Sequence, residues 1–424
     1  MWEKIRQILK VKDLRNRILF VLAMLIIFRM AAHIPIPGVN VDNLKSFFES
    51  NQLLGLLNVF SGGGMENFSV VMLGVAPYIT ATIIFQLLTM IIPKLEEMQK
   101  EGEAGRAKLN QYQRLLTVPL AGLQAYGMIT VFKQSGQGIV DEMSLFQFAT
   151  TIITIIGGTI FLMWLGELMS EKHIGNGISL IIFAGIVARV PTSIQQTIAT
   201  FDMSNLIPYI IFAIIAVVTV AAIVIITEGQ RNIPVSYAKR IRGMRMYGGV
   251  DTHLPLRVNQ AGVIPIIFAI SIILVPPMIA NFFVNSDVFW LANIATWVKT
   301  IFENQFLYAA FYFILVVAFT YFYTAVIFHP TQIADNLQKQ GGFVPGIRPG
   351  RPTSDFLSYV SSRIILGGAL FLGIIAILPN IIQSATSITT LVIGGTSLLI
   401  VVSVVIEIVK QIESQLVMRN YEGF

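Results

Sequence analysis

Ten long apolar stretches alternate along the chain with polar connections, at residues 18–36, 70–92, 115–132, 145–169, 178–190, 206–227, 261–283, 306–328, 364–382 and 388–409. Most approach the roughly 20 apolar residues that cross about 30 Å of hydrocarbon. A segment in lipid must satisfy its own backbone hydrogen bonds, and runs of this length without strand alternation do so as helices. The pattern therefore predicts an all-α polytopic membrane protein with ten transmembrane helices.

Some runs are interrupted. Before the second lies a Gly-rich stretch from Val59 to Ser69, containing Ser61, Gly62, Gly63, Gly64, Met65, Glu66, Asn67 and Phe68, and Gly74 and Pro77 follow just inside the run. Proline cannot donate a backbone hydrogen bond and clashes with the preceding turn. Two readings follow: a half-helix before Pro77 with a spanning helix after it, or a surface loop with a helix starting at Pro77. Broken backbone at membrane depth is tolerated only where protein buries it or it lines a cavity. The seventh run is broken by Gly262, Pro265 and Pro276-Pro277, and the fifth is short and entered through Gly175-Asn176-Gly177. The interrupted second and seventh runs occupy equivalent places in a five-plus-five division, the mark of an internal repeat with a central pathway.

Charge sets the expected orientation. With the N-terminus in the cytoplasm, all but five of the 29 Lys and Arg fall on that side, the exceptions being Arg29, Lys45, Lys133, Arg189 and Lys299. The positive-inside rule then puts both termini in the cytoplasm, as an even number of crossings requires. The first run follows Arg15 and Arg17, as a signal peptide would, but it is long, contains Arg29 and leads into Pro35 and Pro37, which reads as a retained helix. A hydrophobic share of 55% against 12% charged residues excludes disorder and an ordinary soluble domain, and the net charge of +6 is mostly the topological bias. With no Cys there are no disulfides, thiolate nucleophiles or Cys-held metals.

Intramembrane chemistry is sparse. His33, His173, His253 and His329 fall at helix ends or in loops, no phosphate-binding loop is present, and Glu167, Glu407 and Arg29 sit toward helix ends, where snorkelling or pairing accounts for them. No catalytic role, cofactor or metal is expected. A secondary transporter is the main rival, but it normally needs a mid-membrane carboxylate. A transferase acting on lipid-linked substrates would need catalytic carboxylates or a metal. The polar weight lies instead in two loops of about thirty residues, longer than simple connections need. One carries Arg231, Lys239, Arg240, Arg242, Arg245 and Arg257 with Tyr237 and Tyr247 interleaved, and the other carries Lys339, Arg348 and Arg351. Such loops suit anionic lipid, RNA or an acidic protein face.

Several of these segments resemble the bacterial SecY protein-conducting channel. They are Gly74-Val75-Ala76-Pro77-Tyr78-Ile79-Thr80-Ala81, the stretch from Gly175 to Gly185, those from Pro234 to Arg240 and from Thr252 to Asn259, Ala334-Asp335-Asn336-Leu337, Gly346-Ile347-Arg348-Pro349-Gly350, and Gly395 to Ile400. The resemblance implies two pseudo-symmetric five-helix halves around a central pore in the bacterial plasma membrane. Residues 1–227 would hold helices 1–6 with a plug near 60–73, 228–258 a basic cytoplasmic loop, 259–328 helices 7 and 8, 329–363 a second cytoplasmic loop, and 364–424 helices 9 and 10 with the tail. It also implies a plug half-helix and a pore ring of Val75, Ile79, Ile178, Ile182, Ile267 and Ile400, the family usually having Ile where Val75 stands. A lateral gate would carry Thr80, Ile83, Gln86, Ser271 and Val275. Implied partners are the small membrane subunits SecE and SecG, the SecA motor ATPase, the ribosome, preprotein signal sequences and membrane lipid. Arg231, Lys239, Arg240, Arg242, Arg245, Arg257 and Arg348 would bind the motor or ribosome.

Overall fold

The computed structural model describes residues 10–50, 58, 61–134, 138–140, 143–199, 206–237, 240–242, 245–247, 252–273, 275–284, 288–386 and 395–422. Every one of the ten apolar runs overlaps a helix. Along the chain these are α1 (Lys12–Ala31), a short α2 (Val41–Ser50), α3 (Ala76–Ile91), α4 (Pro93–Lys100), α5 (Glu103–Gln134), α6 (Leu145–Ser170), α7 (Gly177–Ala199) and α8 (Leu206–Glu228). After a strand region come α9 (Ile264–Ile273), α10 (Val275–Phe283), α11 (Phe289–Glu303), α12 (Gln305–Ile327), α13 (Pro330–Lys339), α14 (Arg351–Thr386) and α15 (Gly395–Glu422). Among the described residues six helices are long and apolar enough to cross a membrane, or seven if α3 and α4 form one broken span. The break is a bend of 103° at Pro93, where proline interrupts the hydrogen-bond ladder and the sequence turns polar.

Local chemistry explains where helices begin. Ser144 and Gln147 form a reciprocal capping box on α6, with the Gln147 N–H donating to Ser144 Oγ at 3.3 Å and the Ser144 N–H to Gln147 Oε1 at 2.9 Å. The Asn304 side chain accepts from the N–H groups of Phe306 and Leu307 to start α12. The entry to α7 is built the same way: Asn176 Oδ1 accepts from Ile178 N–H at 3.0 Å and Ser179 N–H at 3.2 Å, while Gly175 adopts φ +139°. The helix then runs 23 residues to Ala199, longer than the apolar stretch alone, because its polar outer end continues in register past Pro191.

Helices α1, α3, α5, α6 and α7 pack among themselves, as do α8, α9, α12, α14 and α15. The two groups meet along two lines: α3 and α5 against α9 and α10, and α7 against α15. Glu167 of α6 is paired, through a 2.6 Å salt bridge to Arg114 of α5, and Lys410 of α15 reaches Glu228 of α8 at 2.8 Å.

Two expectations need correction. The chain is not wholly helical, because the long basic loops pair as strands. β1 (Gln230–Tyr237) lies between β4 (Thr252–Arg257) and β5 (Gly342–Phe343) in an antiparallel sheet, and β2 (Arg240–Arg242) pairs with β3 (Arg245–Tyr247). Alternation along β1 buries Ile233 and Val235 while Arg231, Asn232 and Pro234 face outward, and Ile233 and Leu256 join Val344, Leu357 and Val360 in a small core that ties the two loops together. The half-helix before Pro77 is also not observed over 61–75, which is a succession of turns.

Candidate functional site

The stretch 61–75 is held by side chains and backbone of its neighbours rather than by a helical ladder. Its far end forms an antiparallel bridge, with Ile36 N–H donating to Phe68 O at 2.9 Å and Val70 N–H to Ile34 O at 3.0 Å. Its middle is closed by Ser61 and Ser69: Met65 N–H donates to Ser61 Oγ at 3.2 Å, and Ser69 Oγ–H to Gly64 O at 3.1 Å. Gly62, at φ +72°, lies so close to α1 and α7 that a methyl group on it would sit 2.6 Å from the Phe28 ring and 3.1 Å from Gly185 Cα. Met65, Phe68 and Met72 are buried in an apolar cluster with Ile36, Leu44, Phe48 and Phe132. This segment fills the space between helices, as irregular backbone at membrane depth must.

Directly beside it, Val75, Ile79, Ile178, Ile182, Ile267 and Ile400 fall in one apolar cluster. They come from α3 and its entry, α7, α9 and α15. Val75 with Ile79, and Ile178 with Ile182, lie one helical turn apart and so share a face. Ile400 has no exposure and Ile182 has 1%. The α7 entry reaches this position because Gly177 passes against α6, where an added methyl group would lie 1.8 Å from Gly166 O.

The seam between α3, α5, α9 and α10 contains an apolar cavity of about 320 Å³. Thr80, Ser271 and Val275 line it, together with Val75, Ile79, Ile182 and Ile267 and with Met65 from the 61–75 segment. Ile83 is not on this cavity; it is buried against Ala261, Phe268 and Tyr323 at the adjoining α3–α9 contact. Gln86 lies one turn further along α3, and its side-chain Oε1 is buried with no hydrogen-bond partner among the described residues. On the strand side, Arg231, Arg257 and Arg348 are exposed, Arg240 and Arg242 lie on β2 and Arg245 on β3, and Lys239 lies outside the described residues.

Sequence reasoning missed the polar contacts around the 61–75 segment. Arg29 Nη1 donates to Gly62 O at 2.6 Å, Arg189 forms a salt bridge with Glu66, and Asn58 Nδ2 donates to the same Glu66 Oε2 at 2.7 Å. The available signal was that Arg29 and Arg189 stand among the few basic residues off the cytoplasmic side, with Glu66 the acidic residue of the intervening turn.

A set of apolar, membrane-spanning helices thus encloses an apolar cluster that adjoins an apolar cavity at a helix seam, with the 61–75 segment packed beside it. Among the described residues no group of His and acidic side chains could hold a metal. Residues 69–409 match the SecY family model, and the chain is 44% identical to Protein translocase subunit SecY of Mycobacterium bovis, over 98% of each chain. The fold is similar to a solved protein-conducting channel, at TM-score 0.63 and 19% identity, covering 93% of this chain and 91% of that one. It is also similar to Sec61 of the canine ribosome-channel complex from the endoplasmic reticulum, at TM-score 0.60 and 18% identity over the same shares. The chain belongs to the SecY family: it is a protein translocase subunit of a bacterial membrane, a protein-conducting channel and not an enzyme.

Proposed function

We propose that this chain passes unfolded secretory proteins across the plasma membrane and releases hydrophobic segments sideways into lipid. The observation that carries this reading is the apolar cavity at the α3–α9/α10 seam, contiguous with the six-residue cluster. Val75, Ile79, Ile178, Ile182, Ile267 and Ile400 act as the constriction: branched apolar side chains seal by being poorly wetted and yield around a passing chain. Ser61 to Phe68 belong to the plug that fills the outer side. The lateral gate runs along Thr80, Ile83, Gln86, Ser271 and Val275, where an apolar segment loses little on passing from the wall into lipid and a polar one loses much. The helices act as two five-helix halves that part along this seam.

The energy source is a partner, because the sequence contains no phosphate-binding loop. Arg231, Lys239, Arg240, Arg242, Arg245, Arg257 and Arg348 form the cytoplasmic docking surface for the SecA motor or the ribosome, a reading supported by the exposure of Arg231, Arg257 and Arg348 and by the ribosome-channel complex of the similar Sec61. SecE and SecG cover outward apolar faces such as that of α8, both termini are cytoplasmic, and signal sequences enter at the seam from which membrane lipid is reached.

A locked seam tests this. Replacing Thr80 and Val275 with Cys introduces the chain's first thiols. Because a cavity lies between these positions, a short bifunctional thiol reagent suits them better than a disulfide, which requires Cα atoms within about 7 Å. In vesicles carrying the full translocase and the motor, the cross-linked protein should neither export a secretory protein nor insert a membrane segment, whereas either single-Cys variant treated alike should do both. Full-rate insertion by the cross-linked protein would exclude this seam as the exit.

A further inference from the structure

Two arginines on different helices converge on the plug. Arg29 of α1 donates to Gly62 O, and Arg189 of α7 pairs with Glu66, whose carboxylate also receives Asn58 Nδ2 and whose N–H donates to Asn58 Oδ1 at 3.0 Å. The same two helices clamp Gly62 sterically, through Phe28, the residue before Arg29, and Gly185, one turn before Arg189. Both partners of the ion pair are about two-thirds shielded. Hydrogen bonds to ionised groups are roughly twice as strong as neutral ones, and a pair shielded from water is screened little by salt.

We propose that Glu66, Arg189 and Arg29 form a charged latch that holds the plug shut and so sets how strong a signal sequence must be to open the channel. The inference rests on reading 61–75 as the plug. Moving the plug breaks the Glu66–Arg189 pair and strips the Gly62 carbonyl from Arg29. It leaves the Arg189 guanidinium without its carboxylate partner. A weak signal, whose binding at the seam supplies little free energy, then leaves the latch closed; a strong one overcomes it. Glu66 and Arg189 thus act as specificity-determining residues, although neither lies on the apolar ring or the seam cavity.

The test uses the complete translocase in planar bilayers and in motor-driven vesicles. Glu66→Gln, nearly isosteric, and Arg189→Gln should each raise the resting ion leak about tenfold, equivalent to about 1.4 kcal/mol. Each should also export a substrate whose signal sequence has been weakened by one charged substitution, while full-strength substrates move at the ordinary rate. The swapped pair Glu66→Arg with Arg189→Glu should return the leak to near the parental level, which a role in side-chain packing alone would not produce. Leak and stringency unchanged in both single variants, alongside a raised leak on deletion of 61–68, would overturn the latch and leave the plug standing. Leaky single variants that the swap does not rescue would overturn its electrostatic basis. A deletion that leaves the leak unchanged would overturn the plug reading and the latch with it.

Discussion

Ile400 shows how little a single residue announces. In a chain that is 55% hydrophobic an isoleucine in a late helix is ordinary packing, yet this side chain is wholly buried among residues of helices distant in sequence. Burying an amide there without a partner costs about 1–3 kcal/mol, and water entering the constriction relieves that cost. Ile400→Asn should therefore favour a wetted, partly open ring: single-channel recordings should show more frequent openings at an unchanged protein level in the membrane. An opening frequency equal to that of the parent would put Ile400 outside the constriction. Glu167 makes the opposite case, since a carboxylate near a helix end predicts a partner and Arg114 supplies it at 2.6 Å.

At the scale of elements, the α6–α7 turn depends on two glycines with unequal constraints. A methyl group on Gly177 would meet the backbone carbonyl of Gly166, whereas one on Gly166 would meet the Ile178 Cδ1 methyl at 2.5 Å. Backbone cannot step aside without moving a helix, but the end of an isoleucine can rotate. Gly177→Ala should cost about 3 kcal/mol and Gly166→Ala about 1 kcal/mol, within the range for overpacking. Thermal unfolding in detergent should rank them in that order, and the reverse order would mean that α7 does not enter by this close contact. Since Ile178 follows directly, a displaced Gly177 also shifts the proposed ring. The 61–75 segment carries the other lesson at this scale. A half-helix was expected before Pro77, but Met65 and Glu66 donate their N–H groups to the side chains of Ser61 and Asn58, those of Phe68, Ser69, Met72 and Gly74 go to carbonyls of nearby turns, and Gly62 and Gly63 take positive φ values that a helix does not allow.

For the whole molecule, the two basic loops act as one body because β1 pairs with both β4 and β5. Arg348 projects from this body with its side chain exposed, while its backbone carbonyl is what orders the turn, accepting from Thr353 Oγ1 at 2.8 Å. Arg348→Glu should therefore leave the fold intact and reverse a docking attraction, where like-charge contact costs several kcal/mol. Motor-driven export should fall at least tenfold, with the channel still present and folded in the membrane. Undiminished ATP-driven export by this variant would remove Arg348 from the interface.

The sequence by itself determined what depends on neighbours along the chain: the apolar runs that become helices, the helix start at Pro77, and the polar, Gly-rich entry to α7 at Gly175-Asn176-Gly177. Long ordered motifs also carried the family resemblance. Tertiary structure decided what depends on distant segments meeting. The apolar cluster of Val75, Ile79, Ile178, Ile182, Ile267 and Ile400 draws on four separate parts of the chain, the loops close into a sheet through a pairing between Ser236 and Phe343, and Glu66 meets an arginine 123 residues away. The physical reason is that hydropathy in a membrane fixes which segments enter lipid but is nearly indifferent to which apolar helix faces which, lipid tails being as apolar as leucine. That choice falls to close contacts such as Gly166 with Gly177 and to a few buried polar pairs, and these exist only once the helices have packed.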